Sequence, residues 1–252
     1  MDGERDILET SVDAVLGGRL RLRQPLAGHR VGHDAILLAA ATGGREGEVA
    51  IDLGAGVGAA GLALAVRVPG LKVTLVEIDA ALSDLAVGNA RLNKLDDRIS
   101  VLTADAADTG FAAGSADRVL MNPPFHNASR QNVSPDPRRR LAHAAPPDLL
   151  ARWIASAARL LKPQGVLTLI WRADGLVDVQ DALANAFGGV AVLPVQPRAD
   201  APAIRVLVRA VKSGHGSNKN YPALVLNDER GRPTAAAEAV LRSGATLNIS
   251  ET

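Results

Sequence analysis

Cysteine is absent from this chain, so neither a disulfide nor a thiolate metal centre can form, and a reducing compartment is expected. Five histidines spread from His29 to His215 argue against a zinc site. Aromatic residues amount to only 2%; the core must be built from Ala, Leu and Val, and an aromatic that falls in a cleft carries unusual weight. No stretch of about 18 uninterrupted apolar residues is present. The start, Met1-Asp2-Gly3-Glu4-Arg5-Asp6, is charged and mostly acidic where a signal peptide is basic and then apolar. No membrane association and a cytoplasmic location are therefore expected. A formal charge of +1 excludes a histone-like nucleic-acid binder, so any RNA contact has to come from clustered arginines. What is present is ample: 252 residues, 47% of them hydrophobic, enough to bury a full core in one large α/β domain or two small ones.

Runs of β-type residues alternate with helical periodicity, the pattern of a mostly parallel sheet covered on both faces. Strands are expected at Glu48 to Leu53, Lys72 to Ile78, Ile99 to Ala104, Ala116 to Met121, Val166 to Trp171, Val190 to Leu193 and Ile204 to Val211. Helices are expected at Ala59 to Arg67, Ala80 to Asn93, Pro147 to Leu161 and Gly175 to Phe187. Turns are read at Pro69-Gly70, Lys162-Pro163-Gln164-Gly165 and Gly188-Gly189. Seven strands in this order fit a single doubly wound catalytic core over residues 48–212. Before it, residues 1–47 form an extension with a helix signal at Thr10 to Leu16 and a strand at Arg19 to Arg23. After it, residues 213–252 form a short addition, a polar Gly-rich loop leading to a strand at Ala223 to Leu226, with nothing that marks a second domain.

Two motifs carry the chemistry. In Ile51-Asp52-Leu53-Gly54-Ala55-Gly56-Val57-Gly58, three glycines follow a buried strand and open a helix, where missing side chains let a ligand approach the backbone and the helix N-terminus. The spacing is tighter than the dinucleotide G-x-G-x-x-G. Glu77, near the end of the next strand and about twenty residues on, is placed to accept both hydroxyls of a ribose. Asp79 sits instead where a helix N-cap would, and Asp105 follows the third strand at the expected edge of an adenine ring. The second motif, Asn122-Pro123-Pro124-Phe125, ends the fourth strand beside the same crevice. It offers an amide oxygen, backbone carbonyls stiffened by two prolines and an aromatic face, a set that can grip a flat NH2-bearing group.

These residues resemble the class I S-adenosylmethionine-dependent methyltransferases of the Asn-Pro-Pro-(Phe/Tyr) group, whose fold is a Rossmann-like seven-stranded sheet. Within that group, Leu16-Gly17-Gly18-Arg19-Leu20, Gln24-Pro25 and Gly28 to Ala39 are similar to the bacterial family that methylates adenine N6 beside the anticodon of a valine tRNA. Pro135, Arg138 to Arg140, Ala142-His143 and Arg205 to Arg209 fit that family too. The resemblance implies S-adenosyl-L-methionine as cofactor and tRNA as partner. It puts Asp52, Gly54, Gly56, Gly58, Glu77, Asp105 and Asn122 at the cofactor, with Arg30, Gly32 and Asp34 of a covering first helix at its methionine end.

The exocyclic amine of adenine shares its lone pair with the ring and is a poor nucleophile, so activation must fall on the amine. Asn122 Oδ1 and the Pro123 carbonyl accepting its two N–H hydrogens would let the nitrogen move toward sp3, with Pro124 stiffening the turn and Phe125 stacked on the ring. Neither a metal nor a strong base is required, and His126 is read as a loop residue. The same pocket suits guanine N2 in rRNA or a glutamine amide in a protein, and an inactive cofactor- or RNA-binding protein is the reading from outside enzymology. Recognition of the partner is expected in Asn127 to His143, with Arg130 and above all Arg138, Arg139 and Arg140 on phosphates.

Overall fold

A computed structural model describes residues 9–27, 30–124 and 148–249. The chain opens with a hairpin of β1 (Thr10–Val15) and β2 (Leu20–Pro25), antiparallel with Val15 opposite Leu20. The helix expected at Thr10 to Leu16 is thus a strand. Its six residues are too few for a 3.6-residue period to declare itself, and β2 supplies the ladder partner that settles the conformation. Helix α1 (His33–Ala41) follows. The core then alternates β3 (Val49–Leu53), α2 (Ala59–Arg67), β4 (Lys72–Glu77), α3 (Ala80–Leu92), β5 (Ile99–Thr103), β6 (Ala116–Met121), α4 (Leu149–Leu160), β7 (Leu161–Arg172), α5 (Leu176–Leu183), β8 (Phe187–Gln196) and β9 (Arg205–Lys212). Two-residue strands β10 (Lys219–Asn220) and β11 (Leu224–Val225) and helix α6 (Ala235–Leu241) complete it.

The expected strands are all present as β3 to β9, in the order β8-β9-β7-β6-β3-β4-β5. β10 and β11 both add to β8, giving a sheet of nine strands among the described residues, separate from the β1–β2 hairpin. Only β9 runs antiparallel to its neighbours. Two expected turns lie inside strands as irregularities: Gln164 has φ 63 within β7, and the β8–β9 register shifts between Gly188 and Ala191. A sheet buried on both faces explains why β3, β6 and β7 read as nearly continuous apolar runs.

Leu120, Ile170 and Leu207 point to the face covered by α1, α2, α3 and the hairpin. Met121, Leu169 and Val208 point to the opposite face, with Ile154 and Ala157 of α4 and Val179 of α5. Helix α6, absent from the sequence reading, is capped by Thr234, whose hydroxyl accepts the Ala237 N–H at 3.1 Å. Arg67 at the end of α2 ties it down by donating to the Val240 and Ala245 carbonyls. No helix among the described residues is long and apolar enough to cross a membrane.

Candidate active site

The chain order reverses between β3 and β6: β3, β4 and β5 follow one another outward in one direction, and β6 lies on the other side. In an open α/β sheet the crevice at such a reversal, beyond the C-terminal strand ends, is where ligands bind. Asn122, Gly54, Glu77 and Asp105 leave the ends of β6, β3, β4 and β5, four adjacent strands about 4.8 Å apart. The topology therefore brings the expected residues to one rim.

The glycine turn is held against β4 by its own backbone. Gly54 and Ala55 N–H groups both donate to the Val76 carbonyl at 2.9 Å. Glu77, 8% exposed, accepts the Gly56 N–H on Oε2 at 2.7 Å and the Asp79 N–H on Oε1 at 2.9 Å. A carboxylate has about four acceptor positions, so Glu77 fixes the turn and keeps capacity for a ligand. Asp79 is the N-cap of α3, accepting from Ala81 and Leu82.

The three glycines have different reasons to lack a side chain. All have positive φ. A Cβ on Gly54 would lie 2.3 Å from Trp153 Cη2, and one on Gly58 2.8 Å from Leu75 Cδ1, whereas Gly56 faces open space. Of the three, only Gly56 has open space where a Cβ would stand.

Asp52, expected at the cofactor, lies instead beneath the turn. It is 2% exposed, and its Oδ2 accepts the Gly61 N–H at 2.8 Å. Burial, with the nearby Glu77 charge adding to it, pushes its carboxyl from 3.8 up to about 7. The aspartate thus holds the first turns of α2. Two residues expected at the methionine end also have partners within the protein. Arg30 is paired with Asp13 and donates to Ser11 Oγ and the Pro25 carbonyl, which binds it to the hairpin. Asp34 accepts from Arg205 Nε of β9 at 2.8 Å. Gly32 is the exposed N-cap of α1, with nothing near a Cβ there.

Asp105 accepts the Ala107 N–H at 2.8 Å, and its Oδ2 lies 3.7 Å from Arg152 of α4. Asn122 Oδ1 is buried with no donor among the described residues, and an unpaired buried polar atom costs about 1–3 kcal/mol. Pro123 is buried and Pro124 exposed. Phe125 and Arg138, Arg139 and Arg140 lie outside the described residues.

Two residues escaped the sequence reading. Trp153 packs over Gly54 from about a hundred residues away, its indole filling the place of the missing Cβ; the only local signal was one tryptophan in an aromatic-poor helix. Ile78, directly after Glu77, is 68% exposed at the crevice rim and presents an apolar surface beside the glycine turn. Among the described residues no cluster of His, Asp or Glu could hold a metal.

A Rossmann-like sheet with an open glycine turn, an acid at the second strand end and, at the fourth, an amide oxygen without a donor among the described residues has the layout of a methyltransferase-type site. Residues 31–198 match the model of the methyltransferase small domain, and the chain belongs to that family. The matched range begins at Val31, so α1 lies within it. The chain is 35% identical over 159 residues to a tRNA1(Val) (adenine(37)-N6)-methyltransferase of Porphyromonas gingivalis, covering 60% of this chain and 62% of that protein. It is 30% identical over 230 residues to the protein of the same name from Dickeya chrysanthemi, covering 84% and 86%. Among solved structures, a predicted O-methyltransferase from Agrobacterium tumefaciens superimposes with a TM-score of 0.71 at 26% identity, over 85% of this chain and 98% of that one.

Proposed function

We propose that this protein transfers a methyl group from S-adenosyl-L-methionine to N6 of an adenine in the anticodon loop of a tRNA, in the cytoplasm where tRNA is used. The observation that carries the reading is the buried Asn122 Oδ1 at the end of β6, which has no donor among the described residues, together with the open space at Gly56 of the glycine turn. The names of the Porphyromonas and Dickeya relatives support adenine N6 as the acceptor.

Glu77 would take the ribose hydroxyls, and Asp105 with Ile78 the adenine ring of the cofactor. Gly56 and Gly32, each with open space where a Cβ would stand, would face its amino-acid end. Bound there, the cofactor supplies a methyl group on a sulfonium, already a strong electrophile. The task left to the chain is to make a poor nucleophile attack. Asn122 Oδ1 and the Pro123 carbonyl would accept the two amine hydrogens, which would favour sp3 character at nitrogen and aim its lone pair, and the Phe125 of the motif would stack on the ring. Arg138, Arg139 and Arg140 would hold flanking phosphates. A base in an RNA loop enters such a pocket at a cost of only a few kcal/mol, because it need not first be unpaired.

The test is methyl transfer from labelled cofactor to tRNA, rRNA and protein fractions from a strain lacking the gene, with the product nucleoside identified by mass spectrometry. N6-methyladenosine confined to tRNA supports the reading. N2-methylguanosine in rRNA or methylated glutamine in protein replaces it, and cofactor binding without transfer to any fraction makes the chain a binding protein.

A further inference from the structure

Several arginines among the described residues are paired with carboxylates: Arg118 with Glu48, Arg198 with Asp200 and Arg232 with Asp228. One face gathers three that are not. Along β2, Leu20 and Leu22 are fully buried, so the two-residue period of a strand turns Arg21 and Arg23 outward. Neither has an ion-pair partner among the described residues, and neither does exposed Arg91 of α3. Between β2 and α3 runs a groove of about 450 Å³ lined by Arg23, Asp84, Leu85, Gly88, Arg91 and Leu92. Its floor is apolar, a Cβ on Gly88 would meet nothing within 4 Å, and Asp84 is the single acid in its lining.

The strand that carries these guanidinium groups is rigidly mounted. Asn93 accepts the Arg21 N–H at 2.8 Å and donates to the Arg21 carbonyl at 2.7 Å. Asn89, four residues earlier on the same face of α3, does the same for Arg23 at 2.7 and 2.9 Å. The two amides replace a neighbouring β-strand. Asn89 also donates to the Val57 carbonyl at 3.0 Å, which couples this wall to the glycine turn. Arg23 and Arg91 beside an apolar trough, on a strand whose backbone is already ordered, suit a chain of alternating phosphates and sugars.

We propose that the β2–α3 groove docks the sugar–phosphate backbone of the RNA substrate away from the target base, with phosphates on Arg21, Arg23 and Arg91 and riboses over Leu85, Gly88 and Leu92. The site deepens the tRNA reading above and rests on it. Its lining includes neither Asn122 nor Glu77, so its cations contribute to RNA affinity and leave methyl transfer itself alone.

Two variants test it. The triple change Arg21→Gln, Arg23→Gln, Arg91→Gln removes the charge, and Gly88→Leu fills the trough at a helix position where leucine is favoured over glycine. Filter binding of tRNA across a salt series reads the site. The triple variant should lower the slope of log K against log salt by about 2, at about 0.7 for each lost contact. KM for tRNA should rise in both variants while kcat, cofactor affinity and melting temperature hold, the pattern of lost uniform binding. An unchanged slope and KM in both, with salt-dependent tRNA binding by the unaltered protein, overturns the docking site and leaves the functional reading standing. Failure of the unaltered protein to bind or methylate tRNA overturns both.

Discussion

Replacing Asp52 with Asn tests whether a buried carboxyl beneath the glycine turn sets the pH response of the fold. Its Oδ2 accepts from Gly61, and burial lifts it from 3.8 to about 7. Below about pH 4 the folded and unfolded chains both hold the proton, and this group adds no pH dependence. Between about pH 4 and about pH 7 the unfolded chain has released it and the folded chain has not. The unfolded state then binds fewer protons, so stability falls as pH rises, by about 1.4 kcal/mol per unit. The accumulated loss approaches about 4 kcal/mol, a large share of the roughly 5–15 kcal/mol of a typical domain. Asn keeps an acceptor for the Gly61 N–H and cannot ionise, but it introduces an NH2 donor that costs about 1–3 kcal/mol if left unpaired. The variant should therefore be less stable than the unaltered protein near pH 4 and more stable near pH 8, so that the two curves cross. Urea unfolding across that range measures both. A difference between the two proteins that stays constant with pH would refute the reasoning, because it would mean that the carboxyl titrates alike in the folded and unfolded chains.

Gly54→Ala places a Cβ 2.3 Å from Trp153 at a positive φ, and should cost about 2–4 kcal/mol from overpacking and backbone strain together. A thermal melt reads the loss, and Trp153→Leu in the same chain should recover the steric part only. Asn122→Ala should leave cofactor affinity near its original value and remove most single-turnover transfer, since the lost acceptor acts on the amine in the transition state; near-normal transfer rules out that role. Glu77→Ala should weaken the cofactor by more than the ribose contacts alone, because it also frees the Gly56 and Asp79 amides, each charge-assisted bond being worth about 1.5–3 kcal/mol. Calorimetry with an unaltered dissociation constant would move the ribose role elsewhere.

The strands of the core, the helices between them, the glycine turn and the Asn122 to Phe125 motif could be read along the chain because each is written in a few consecutive residues: an apolar run of strand length, a glycine at a positive φ, a proline that locks its own backbone. Asp79 as an N-cap belongs with them, since a cap reaches only two or three residues ahead. The hairpin strand β1 did not yield to that approach, because six residues fit two periods and the partner β2 decides between them. The same holds, more strongly, for the side chains of the rim. Asp52 and Glu77 are both acids at strand ends, yet one is sealed under the loop at 2% exposure and the other braces it from the side. Arg30 and Asp34 were drawn to the hairpin and to β9 by partners 17 and 171 residues distant. Trp153 owes its position over Gly54 to the crossover that brings α4 back across the sheet. Burial and charge pairing depend on which residues meet after the chain has folded. Local pattern therefore specifies the elements and the kind of chemistry at their ends, and long-range packing assigns each ionisable group to ligand, loop or partner.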